Sequence, residues 1–437
     1  MKTGAYYWDG WYAKIPHWTD RLMEEFADRE PVWGWLGATV ENMEMQIDYA
    51  ADAGLKYFAF DWYYPENGQI SGMNDAVDRF LKARNSERME FCLLVANHKG
   101  GYIYRERWED ACRMFMPYLT DRRALKVDGK PVIIFFSSND LSRCLGGEEE
   151  TRVCLDSLRA LVREAGLPGA AIVGCQSPPR DAAGDLDTDA AKWRAMCGRR
   201  KAEGLDALTG YNYHRSFILC GDRKTFIYPY EELARDHEVS WDCFARYSEL
   251  PYMPIIIGGW DCRPWETIWE GRSEPHPRSC YSPDKTPPQL YRHMVKASEW
   301  ISANKCTTGD HTNVTFASDN THVAVAGNYA HLAETDSTGG IRLVNGIVEA
   351  HSGAAGAISA IAGAANAASG ATSAATGAAN AAASATSAAA GKCISFGDLA
   401  VIYAWNENGE GGYIEPTAGD GGRILNAVKQ AIADTAD

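Results

Sequence analysis

The chain has 437 residues, 46% hydrophobic and 23% charged, with a net charge of −15. That length supports one large core or two smaller ones. So acidic a chain lacks the electrostatic footprint that a phosphate backbone needs, and no run of about 18 bulky apolar residues occurs, so neither a nucleic acid nor a membrane is an expected partner.

The first apolar run, residues 4–8, begins almost at the N-terminus, with no signal-peptide pattern before it. The 12 cysteines are scattered singly with no CxxC pair, which reads as reduced, buried thiols and a cytoplasmic location. Neither a metal nor a cofactor is expected. Further apolar runs follow at 57–62, 90–97, 131–136, 171–176, 207–211, 254–260 and 399–405. Amphipathic patterns of helical period fall at 43–53, 73–83, 107–118, 149–165, 190–203, 230–250, 289–303 and 424–433. Strands alternating with helices pair in parallel. Eight such units predict an α/β chain folded as a (β/α)8 TIM barrel. A doubly wound sheet is the alternative, but no Gly-rich phosphate turn follows the first strand.

Barrel active sites form at the C-terminal ends of the strands. Those ends carry Tyr7 and Trp8, Asp61 and Trp62, Asn97 and His98, Tyr211, Trp260 and Asp261, then Trp405 and Asn406. Together they predict a polar, aromatic-walled pocket of sugar size. The last strand runs into Glu407-Asn408-Gly409-Glu410-Gly411-Gly412-Tyr413. Two glutamates on one tight loop can split their pKa values, one staying ionised as a base and the other keeping its proton as an acid. The glycines would let the backbone approach a sugar closely. Glu407 and Glu410 are the candidate catalytic residues. Tyr7, Trp8, Asp61, Trp62, Asn97, His98, Tyr211, Trp260, Asp261, Trp405, Asn406 and Tyr413 are the candidate substrate-binding residues.

About 90 residues, 305–392, separate the seventh helix from the eighth strand, where αβ loops usually take about 2–6. Residues 1–304 hold the first seven units and 393–437 the eighth. Within the insertion, 311–349 alternate apolar and polar like short strands, and 353–391 are almost only Ala, Gly, Ser, Thr and Asn. The latter contain seven-residue units starting at Gly363, Gly370, Gly377 and Ser384. They read equally as a low-complexity linker or as a helical arm that makes a homo-oligomer. Because helix-to-strand connections lie on the face away from a barrel's site, an assembly role is expected over a lid.

The aromatic first strand, the segment from Gln46 through Gly54 to Asp61-Trp62-Tyr63, Asn97-His98, Gly258-Gly259-Trp260-Asp261 and the 405–416 segment together resemble the family 99 glycoside hydrolases, endo-α-mannosidases, and more closely their WbsX-like relatives. The likeness covers about residues 4–303 and 394–435 and leaves out the insertion. It implies a (β/α)8 barrel and a retaining, endo-acting glycosidase without a metal, acting on an α-linked mannose-type or related polysaccharide. It also implies that Glu407 is a base toward the sugar's own 2-hydroxyl and Glu410 the acid toward the leaving oxygen. Asn408-Gly409 stand where the family usually has a Trp followed by a small residue or His. The competing readings are a glycosyl-transferring enzyme of polysaccharide biosynthesis and a non-catalytic carbohydrate-binding or assembly protein.

Overall fold

The computed structural model describes residues 1–11, 18–66, 72–181, 184–213, 226–265, 280–283, 285–304, 325–326, 329–330, 333–335, 341–343 and 395–436. Eight parallel strands form the core: β1 (Lys2–Tyr7), β2 (Tyr57–Trp62), β3 (Glu90–Val95), β4 (Lys130–Phe135), β5 (Ala171–Cys175), β6 (Ala207–Thr209), β7 (Ile255–Ile257) and β8 (Leu399–Tyr403). Each pairs with the next in chain order from β1 to β6, and β8 sits between β7 and β1. A parallel bridge between Leu208 and Tyr252 closes the ring beside β7, and Met253 N–H reaches the Leu208 carbonyl at 2.8 Å. The expected (β/α)8 barrel is the observed fold. Its strands are buried on both faces, which is why they read as continuous apolar runs.

The helix after each strand covers the barrel: α1 (Val40–Asp52), α2 (Asp75–Lys82), α3 (Trp108–Leu119), α4 (Glu148–Glu164), α5 (Ala190–Ala202), α6 (Tyr230–Tyr247), α7 (Pro287–Asn304) and α8 (Arg423–Asp434). Capping residues set several of their starts. The Thr39 hydroxyl accepts from Asn42 N–H at 3.1 Å to open α1, and the Asp420 carboxylate accepts from Ile424 N–H at 2.9 Å to open α8. Two short helices lie outside the predicted pattern, Asp20–Glu25 and Ser138–Leu145. The second is set by local signals, a Ser137 cap and a left-handed Gly146, rather than by a long apolar stripe.

Residues Thr307–Lys392 form a unit of their own. Its described strands pair antiparallel, Val325–Ala326 with Tyr329–Ala330 and Ala333–Thr335 with Ile341–Leu343. The Ala-rich repeat of 353–391 lies outside the described residues. No described helix is long and apolar enough to cross a membrane.

Candidate active site

The loop after β8 is folded back on itself by its own backbone. Trp405 N–H bonds the Tyr6 carbonyl of β1 at 2.7 Å, and Ile414 N–H returns to the Trp405 carbonyl at 3.0 Å. Within that bracket, the Glu410 and Gly412 N–H groups both bond the Glu407 carbonyl, at 3.2 and 3.1 Å. This turn holds Glu407 and Glu410 at the barrel mouth. Its glycines are required by protein packing. A Cβ on Gly409 would stand 1.8 Å from the Trp265 ring, and Gly411 has φ +72° with the Asp261 backbone 2.9 Å from its missing Cβ.

Both glutamates, together with Asp61 from the end of β2, line a cavity of about 420 Å³, a volume in the range of ordinary small-ligand sites. Tyr211 donates its hydroxyl to Glu407 Oε1 at 2.6 Å, and Tyr403 donates to Glu410 Oε2. Asp61 Oδ1 and Glu407 Oε2 are buried with no hydrogen-bond partner. Burial raises all three carboxyls. For Asp61 the Glu410 charge adds to the rise. For Glu407 the charges of Glu410 and Asp61 add to it, and the Tyr211 hydroxyl opposes it. Glu410 is pushed up to about 7, with the Tyr403 hydroxyl opposing. No described arginine or lysine hydrogen-bonds to any of the three. Three crowded, buried acids raise one another, and their protons belong to the set rather than to one residue. The pair can therefore offer an acid and a base together. Tyr211 and Tyr403 are raised by burial and stay neutral donors, and burial lowers His98 toward the neutral imidazole.

The structure brings some of the predicted residues together and sets others apart. Trp8, Asp61, His98, Tyr211, Glu407 and Glu410 line the cavity. Tyr7, Trp62 and Trp405 turn toward the helix layer. The Tyr7 ring meets Phe60 at 5.0 Å, that of Trp62 meets Phe115 of α3 at 5.0 Å, and Trp405 bonds Gln46 of α1 at 2.9 Å. Side chains alternate between barrel interior and helix layer along a strand, so adjacent strand-end residues cannot all face the site. Two predicted ligands bond backbone instead. Asn406 takes both the N–H and the carbonyl of Trp8, at 2.9 and 2.7 Å, and Asn97 does the same for Ser137, at 2.9 and 2.8 Å. Trp260 lies beside Tyr403 with ring centroids 6.5 Å apart, outside the cavity lining. Asp261 and Tyr413 face a different cavity, behind the glutamate turn.

The cavity lining also includes Tyr63, Met73, Lys99, Phe136 and Trp265, and Tyr403 holds Glu410 from β8. The sequence placed Tyr63 at a strand end on the site face, but it singled out none of the others. Tyr403 was hidden inside a uniformly apolar strand. Trp265 reaches Gly409 from the loop after β7, and its ring lies 5.1 Å from that of Trp8. It places an aromatic ring beside Gly409. Only the tryptophan count hinted at it. Among the described residues no group of three His, Cys, Asp or Glu side chains is arranged to hold a metal ion.

No curated protein matches the chain. Among solved structures, a glycoside hydrolase-like protein superposes with a TM-score of 0.53 at 11% identity, over 98% of this chain and 93% of that one. A GH99 endo-alpha-mannosidase from Bacteriodes thetaiotaomicron, in complex with bis-tris-propane, aligns with a TM-score of 0.43 at 13% identity, over 68% of this chain and 80% of that one. At 11% identity the likeness to the first is one of fold. The sequence model of the family described as glycosyltransferase WbsX matches residues 37–271, more than half of the chain, and the protein belongs to that family.

Proposed function

We propose that this protein is a retaining glycoside hydrolase that cleaves an α-linked mannose-type or related polysaccharide, with Glu407 as general base and Glu410 as general acid. The observation that supports this most is the pair of buried glutamates on one turn, each held by a tyrosine hydroxyl, at the mouth of a (β/α)8 barrel. Glu407 takes the proton of the sugar's 2-hydroxyl. O2 then attacks C1 as the bond from C1 to the leaving oxygen breaks, and that oxygen takes its proton from Glu410. Water, deprotonated by Glu410, next attacks C1. The C1–O2 bond opens and O2 regains its proton from Glu407. Two inversions at C1 give retention, and no bond to the enzyme forms. In the free site burial and the charges of Glu410 and Asp61 raise Glu407. Glu407 acts as the base once the protons of this set redistribute around the bound sugar.

The test is a panel of polysaccharides with product analysis by mass. Release of sugar is expected from the native protein, and a loss on the order of 10²–10⁴-fold in Glu407→Gln and in Glu410→Gln. Full turnover in both variants refutes the assignment. The description of the family keeps a second reading, glycosyl transfer. It requires a nucleotide-sugar donor, so donor-dependent growth of an acceptor glycan without hydrolysis would select it.

A further inference from the structure

Behind the glutamate turn, at the same end of the barrel, lies a second cavity of about 590 Å³. One wall holds Asp261 between two guanidiniums. Arg263 takes both of its oxygens at 2.7 Å, and Arg29 pairs with it from the other side. Burial alone would raise the Asp261 carboxyl, but the Arg263 hydrogen bonds and the Arg29 charge outweigh it and hold the group below its ordinary range.

Lys285 and Arg423 add two more cations to the lining, and Asp420 one further acid. Lys285 Nζ donates to the Tyr413 carbonyl at 2.6 Å and stands 4.2 Å from the centre of the Tyr413 ring. Arg423 donates to the carbonyls of Asp420 and Gly419, at 2.8 and 3.2 Å. Among the described residues neither has a carboxylate within ion-pair distance. Burial pushes the Lys285 ammonium down to about 7, with the Asp420 charge opposing, and an anion placed beside it would restore its charge. Ser282 supplies an independent sign of a ligand. It lines the cavity, is 1% exposed, and its hydroxyl has no hydrogen-bond partner. A buried hydroxyl left unpaired costs free energy until something bonds it. At the rim, Glu25 and Asp28 are exposed acids, and Glu25 is already paired with Arg21. They disfavour an extended polyanion and leave the interior suited to a single small oxyanion.

We propose that this cavity is an anion subsite, which takes a carboxylate or phosphate group carried by a sugar and binds it with Lys285, Arg423 and Ser282. That the anion is carried by a sugar rests on the proposed function, whereas the anion site itself does not depend on the reaction at the glutamates.

Calorimetry on the full chain tests it, with inorganic phosphate, glucuronate, glucose 1-phosphate and plain glucose as probes. The anions are expected to bind at one site and glucose not to bind. Tighter binding of glucuronate assigns the site to an acidic sugar, and tighter binding of glucose 1-phosphate to a sugar phosphate. Lys285→Met and Arg423→Ala should each weaken binding by about tenfold, and Lys285→Arg should restore most of it. Glu407→Gln should bind the anions as the native protein does, which separates this site from the proposed hydrolysis. Arg423 is exposed, so its variant keeps the test open should Lys285→Met fail to fold. No heat with any of the three anions overturns the proposal. So does binding that survives both charge-removing variants unchanged.

Discussion

Replacing Tyr403 with Phe removes one hydroxyl, the group that donates to Glu410 Oε2. Burial lifts Glu410 from the ordinary 4.5 to about 7, and the Tyr403 hydroxyl is the contact that opposes the rise. A hydrogen bond to a charged group is worth about 1.5–3 kcal/mol, and 1.36 kcal/mol corresponds to one pKa unit, so its loss should lift the pair by a further ~1–2 units. The ring should keep its place, because Tyr403 packs edge-on against Tyr211 with centroids 4.8 Å apart. The assay is kcat/KM against pH on a polysaccharide that the native protein cleaves. The acid limb, where the glutamate pair loses its first proton, should move up by about 1–2 pH units. Far-UV circular dichroism should stay unchanged. A limb that stays in place, or moves down, refutes the claim that this hydroxyl holds the ionised form of the pair.

Other substitutions separate site from scaffold. The folded-state pKa of Glu410 lies above the unfolded one, so its contribution to stability is full below pH 4.5 and is lost as pH rises through about 7. Glu410→Gln should therefore unfold at a higher temperature than the native protein at about pH 8, and at the same temperature near pH 4. The gain is at most about 3 kcal/mol, reduced because Glu410 keeps part of its surface open to the cavity. Lower thermal stability of the variant at pH ~8 would contradict the burial argument. Gly409→Ala puts a methyl where the Trp265 ring lies. Turnover should fall sharply while the circular dichroism spectrum stays native, and native kcat/KM would show that the ring's position does not matter. Trp62→Ala should cost about 3–5 kcal/mol of stability in denaturant titration, since its ring packs on Phe115. KM of the folded fraction should stay native, and a raised KM would return Trp62 to the substrate site.

The barrel was legible in the chain because its strands are buried on both faces. Each therefore stood out as an apolar run, and most of the eight helices carried an amphipathic stripe, Ala190–Ala202 least of all. The Ser138–Leu145 helix escaped because caps define it rather than periodicity. The glutamate turn was also legible, since both carboxylates and the glycines that fold it lie within one short segment. The rest of the site was not. Asp61 and Trp62 are neighbours in sequence, yet one lines the cavity with a raised carboxyl and the other faces α3.

Local sequence thus determined the strand and helix count, the barrel and the place of its two glutamates, because each depends on residues a few positions apart. Tertiary structure alone decided which strand-end side chains point inward. Strand register sets that choice, and β1 Lys2 pairs with Leu399 almost the whole chain away. It alone put Trp265 against Gly409, gave Glu407 and Glu410 a tyrosine each, and separated Asp261 and Tyr413 into a cavity of their own. Those outcomes depend on burial and on charges brought together from distant loops. The raised carboxyls of the glutamate turn arise in the same way, from desolvation that only the closed barrel supplies.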